Sequence, residues 1–106
     1  MNFSDIVSRM EKKRGTILRR IYCKDGFNFS LQASKYHYCL PKSDDGPYTH
    51  FEIGYPSKRV KDFMPYITDV KDNPINAVYA FVPNEIVEKV ITDHGGMCAF
   101  LNWGSK

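Results

Sequence analysis

No stretch of this sequence approaches the roughly 18 consecutive apolar residues that cross a bilayer. The opening MNFSDIVSRMEKKRG sets charges where a secretory leader carries its apolar stretch, so a cytoplasmic protein without membrane contact is expected. Cysteine is scarce: Cys23, Cys39 and Cys98 are odd in number and widely spaced. That pattern argues against a secreted disulfide framework and fits reduced thiols. Seven glycines and six prolines, without period or clustering, exclude collagen, and there are no internal repeats or low-complexity segments.

What the chain does have is bulk. Its 106 residues are 42% apolar, 14% aromatic and 25% charged, enough large side chains for one core without cross-links. A single domain over 1–106 is expected, with a basic N-terminal helix over 1–15 and an α+β core over 16–106. The net charge of +3 is unevenly spread: residues 1–24 carry +5 and the remainder −2. This asymmetry is the main electrostatic clue.

Ser4 is placed to cap the first helix, and Gly15 stops it after a basic last turn. Thr16 to Cys23 predicts a strand, with Lys24-Asp25-Gly26 as the turn into the next. There Phe27, Phe29, Leu31 and Ala33 alternate with Asn28, Ser30, Gln32 and Ser34, so one face is buried and the other wet. Tyr36 to Leu40 either continues that strand or pairs anew, and Pro41 to Pro47 is an exposed loop. Tyr48 to Tyr55 predicts a strand with Thr49, Phe51, Ile53 and Tyr55 on one face. Ser57 is placed to cap a short helix bearing Val60, Phe63 and Met64, which Pro65 ends or kinks. Ile75 to Val82 reads as a strand. Pro83 then opens a helix striped with Ile86, Val87, Val90 and Ile91, closed by His94-Gly95-Gly96. Met97 to Trp103 is a last strand or a docked segment. The expected fold is an α+β two-layer sandwich: a mainly antiparallel sheet of four to five strands with two to three helices on one face.

Candidate chemistry starts with His37-x-Cys39 and Cys23, since residues two apart on a strand share a face and a neighbouring strand can present a third ligand. A zinc site would still need His50, His94 or Cys98 as fourth ligand, with no spacing that points to any of them. Isolated cysteines more often pack as small hydrophobes, so no metal and no cofactor is expected. A Cys39 or Cys98 nucleophile activated by His50 or His94 has no local signature either, and His94 is explained by its place in a last helical turn. Gly95-Gly96 follows a helix where a phosphate loop precedes one, and Asp44-Asp45-Gly46 has too few spaced oxygens for calcium. No enzyme is expected.

Surface contacts carry more weight. Arg9, Lys12, Lys13 and Arg14 belong to the first helix, with Arg19 and Arg20 on opposite faces of the following strand. Such cations suit phosphates or an acidic protein surface. Tyr36, Tyr38 and Tyr48 lie around the Pro41 to Pro47 loop, and tyrosine is enriched at interfaces because it joins apolar area to a polar tip. Arg9, Lys12, Lys13, Arg14, Arg19, Tyr36, Tyr38 and Tyr48 are therefore the predicted partner-binding residues.

Cys23-Lys24-Asp25-Gly26-Phe27, Ser30-Leu31-Gln32-Ala33-Ser34, His37-Tyr38-Cys39-Leu40-Pro41, Val78-Tyr79-Ala80-Phe81-Val82-Pro83 and His94-Gly95-Gly96 together span roughly residues 20–96. The pattern resembles small uncharacterised proteins encoded by phages and prophages. The resemblance implies a context, since small phage accessory proteins commonly bind and block host proteins, restriction and CRISPR defence complexes among them. It carries no site residues. The function expected is a non-enzymatic accessory protein that binds a host protein or nucleoprotein complex. The alternatives are a nucleic-acid-binding protein that uses its basic N-terminal segment and a Cys/His metal-binding module.

Overall fold

The computed structural model describes residues 17–44 and 47–98. The expected helix over 1–15, Asp45-Gly46 and the tail beyond Cys98 lie outside the described residues. Within them the chain forms strands β1 (Ile17–Tyr22), β2 (Asn28–Ala33), β3 (His50–Gly54) and β4 (Val78–Pro83) and one α-helix, α1 (Asn84–Asp93). Lys61–Tyr66 and Pro74–Asn76 are 3-10 turns. The sheet is antiparallel throughout, in the order β1-β2-β3-β4, so the fold class is α+β. No helix among the described residues is long and apolar enough to cross a membrane.

The alternation of β2 sets the layers. Phe27, Phe29, Leu31 and Ala33 are buried while Asn28, Ser30 and Gln32 are half-buried on the other side, because successive side chains on a pleated strand point to opposite faces. Ile21 pairs with Phe29, and Ile53 with Leu31, so β1 and β3 add to the same apolar face. Phe63, from the first 3-10 turn, packs edge-on against Phe29 at 5.7 Å and tilted against Tyr79 at 5.8 Å. Val87, Val90 and Ile91 of α1 join the same buried cluster, so the apolar stripe of the helix is spent on the sheet.

Several elements differ from the sequence expectation, each for a visible reason. Ser57 does not cap a helix: its hydroxyl accepts from the Asn28 N–H at 3.0 Å, and the 3-10 turn begins after Val60 without a side-chain cap. Pro65 sits inside that turn. Pro74 and the Asn73 side chain, which accepts from the Ile75 N–H, hold residues 74–76 in a second 3-10 turn, and β4 starts only at Val78. Tyr36 to Leu40 is no strand of its own: it meets β3 at the bridge between Leu40 and His50, and β4 where the Phe81 N–H donates to Tyr38 O. Thr49 and Tyr55 are exposed, so only Phe51 and Ile53 of their predicted face are buried.

The β1–β2 turn docks onto the end of α1. Gly95 and Gly96 take φ of +90° and +88°, the left-handed region that glycine enters without penalty, and the Gly96 N–H closes the helix on Ile91 O at 2.9 Å. Gly96 O in turn accepts from the Lys24 N–H at 2.9 Å. Asp25 Oδ2 lies 2.6 Å from His94 Nδ1, and the His94 ring stacks on Phe27 at 4.2 Å. Met97 bridges Cys23, and the Cys98 N–H donates to Tyr22 O. The Phe27 N–H first, and His94 second, hold the Asp25 carboxyl below its ordinary value. A depressed carboxyl pKa stabilises the fold above the unfolded value, about 3.9, and that stabilisation is lost as pH falls through the folded one. Thermal melts from acid to neutral pH should therefore show a shallower loss below about pH 4 in Asp25→Asn than in the wild type.

Candidate partner-binding surface

The predicted contact residues fall in three groups. Arg9, Lys12, Lys13 and Arg14 lie outside the described residues, and of Arg19 only the backbone is described, opposite Leu31 in the ladder. Tyr48 is buried at 3% exposure, its hydroxyl donating to Ser43 O at 2.7 Å, and it packs against Phe51. Tyr36 and Tyr38 are exposed, at 81% and 48%.

A residue the sequence reading missed completes the group. On β4 the ladder runs Phe51 to Val82 and Ile53 to Tyr79, so Glu52 alone faces both Ala80 and Phe81, which is a β-bulge. The extra residue turns Phe81 out of the core and lets Val82 in. Phe81 takes φ of +53°, a conformation that costs a residue with a Cβ roughly 1–2 kcal/mol. Its ring lies 5.9 Å from that of Tyr38.

The loop that carries Tyr38 is fixed from both sides. Its N–H donates to the buried Glu52 Oε1 at 2.9 Å, and its carbonyl accepts from the Phe81 N–H at 3.0 Å. Ser34, buried, is the hub behind it: its hydroxyl accepts from the Tyr36 N–H and bonds His37 Nδ1 at 2.6 Å. Lys35 Nζ and Lys42 Nζ each lie 5.3 Å from the ring centres of Tyr36 and Tyr38, where the ring quadrupole attracts a cation. Leu40 is exposed in the same segment. The result is an exposed aromatic pair, Tyr38 and Phe81, with Lys42 beside it, on a backbone pinned by Glu52.

The thiols and imidazoles are disposed differently. Cys39 is buried, and its Sγ donates to Ser34 O and Pro41 O at 3.1 and 3.3 Å; burial raises its pKa. Cys23 packs at the far end of the sheet beside Met97, and burial, with Asp25 and Cys98 adding, pushes its thiol up to about 11. It is therefore protonated near neutral pH. His37 bonds Ser34, His50 bonds Thr49 Oγ1 and His94 bonds Asp25. Among the described residues no three His, Cys, Asp or Glu side chains come together as a metal would require, and Cys23 is not brought to His37 and Cys39.

No protein-family model matches this chain, and neither a curated protein nor a solved structure matches it.

Proposed function

We propose that this chain is a non-enzymatic binding module, an accessory protein of a phage or other mobile element that acts in the host cytoplasm on a host protein or nucleoprotein complex. The scaffold of this reading is an antiparallel sheet with α1 and the Lys61–Tyr66 turn packed on one side and a polar face carrying the half-buried Asn28, Ser30 and Gln32 on the other. The observation that carries it is the pair Tyr38 and Phe81. Phe81 holds the left-handed region with its ring turned out of the core, and such strain collects where a residue serves a ligand. Aromatic anchors flanked by cations are also what dominates binding energy at protein interfaces.

A block on a defence complex such as CRISPR or restriction is the outcome that suits this context. With a net charge of +3 the chain does not imitate DNA, since a mimic must be acidic to replace phosphates. It would work by covering a surface or holding one conformation. The test is affinity capture from host lysate with the wild-type chain and with Tyr38→Ala/Phe81→Ala. A stoichiometric partner retained by the first and lost by the second supports the reading. No partner, or equal capture by both, overturns it.

A further inference from the structure

A second left-handed aromatic residue follows the last residue of β3. Tyr55 takes φ of +51°, is 48% exposed, and its carbonyl accepts from Arg20 Nη2 at 2.6 Å. Tyr55 and Phe81 are the only described residues other than glycine with positive φ, and both are exposed aromatics. Arg20 also donates through Nε and Nη2 to Asn28 Oδ1, at 2.9 and 2.7 Å. Two residues along β1 on the same face, Tyr22 lies opposite Asn28 and is 50% exposed. Tyr22 and Tyr55 make no ring contact or side-chain hydrogen bond with any other described residue. Ser57 is bonded to both the N–H and the C=O of Asn28, which brings the exposed Lys58 to this corner, and Lys24 follows in the β1–β2 turn.

Here the ground between the rings is polar where that beside Phe81 is apolar: Arg20, Asn28, Ser30 and Gln32 are half-buried there, Arg20 bonded to Asn28 and Gln32 to Ser30. The charge is positive. Lys58 lies near one carboxylate, Asp25, which is already committed to the Phe27 N–H and to His94. Exposed stacking rings with cations beside a polar strand surface are complementary to unpaired bases joined by phosphates. A protein interface would ask for an apolar centre instead.

We infer that this corner, Arg20, Tyr22, Tyr55 and Lys58, is a binding site for single-stranded nucleic acid. Tyr22 and Tyr55 stack bases, Lys58 faces phosphates, and Arg20 is a positioning residue that holds Tyr55 in place. The site is separate from the Tyr38 and Phe81 patch and does not rest on the protein-docking reading. It also differs from a nucleic-acid contact made by Arg9, Lys12, Lys13 and Arg14.

The test is fluorescence anisotropy of the full chain with a labelled oligo(dT) and oligo(U), and with a duplex of equal length, over a range of salt. The site predicts single-strand binding that Tyr22→Ala and Tyr55→Gly each weaken roughly 5- to 150-fold. Tyr55→Gly removes the ring and relieves the backbone, so loss of binding there is not loss of fold. Lys58→Gln should flatten the log-log salt slope by about 0.7. Tyr38→Ala/Phe81→Ala should leave all of this unchanged. Absence of binding at low salt, preference for duplex, or binding that ignores both tyrosines and vanishes only when Arg9, Lys12, Lys13 and Arg14 are replaced would overturn the assignment.

Discussion

Phe63→Ala is expected to lower the unfolding free energy by about 3–5 kcal/mol, the range for removing a fully buried ring and leaving its cavity. The ring has no exposure and lies between Phe29 and Tyr79, so it joins the Lys61–Tyr66 turn to two strands of the sheet. A 3-10 turn of six residues has too few hydrogen bonds to stand alone, and nothing else in it is fully buried. Domains of this size have only about 5–15 kcal/mol in total, so the variant should be marginal. Urea unfolding measures it directly. A loss below about 1 kcal/mol would mean that the turn is not docked as described. Lys61→Ala, exposed in the same turn, is the control and should change stability by less than about 0.5 kcal/mol.

The second large effect concerns binding. For the partner captured by the wild-type chain, Tyr38→Ala/Phe81→Ala should weaken affinity by about 2–4 kcal/mol, or roughly 30- to 1,000-fold, the scale of an aromatic hot spot. Both rings are partly exposed and contact each other, so little folding stability is lost with them. Tyr36 stands out at 81% exposure and belongs to the rim, and Tyr36→Ala should cost less than about 1 kcal/mol. Lys35→Gln and Lys42→Gln should act chiefly on the association rate and its salt dependence, as rim charges do. Titration calorimetry and stopped-flow measurements separate these outcomes.

How much of this was legible in the sequence follows from where local pattern and tertiary structure agree. Phe27 to Ala33 read correctly because β2 is a regular central strand whose two faces meet core and solvent. Val87, Val90 and Ile91 did so because α1 carries a single apolar stripe. The helix end was marked by two glycines that are used for their positive φ. Ser57 misled because its hydroxyl has a better use on the neighbouring Asn28 amide than at a helix start.

The site was only half visible. The sequence offers Tyr36, Tyr38 and Tyr48 alike as contact residues; the first two are exposed, while Tyr48 is drawn inward by packing on Phe51 and by its hydroxyl bond to Ser43. Phe81 could not be found by alternation. Period two counted from Tyr79 puts Phe81 beside it in the core, and only the extra residue opposite Glu52 shifts the phase and sends Val82 inward instead. Tyr55 escaped for a similar reason, since one left-handed residue after Gly54 ends the alternation of β3.

The central claim is that Phe81 is held in a costly conformation for what it touches outside the fold. The most direct measurement is denaturant unfolding of Phe81→Gly and Phe81→Ala, together with partner capture by each. Within a regular strand glycine is the less stable choice by about 0.5–1 kcal/mol. At this position the order should reverse, with Phe81→Gly more stable than Phe81→Ala by about 1 kcal/mol and neither variant capturing the partner. Alanine equal to or better than glycine, or capture undiminished without the ring, would contradict the account.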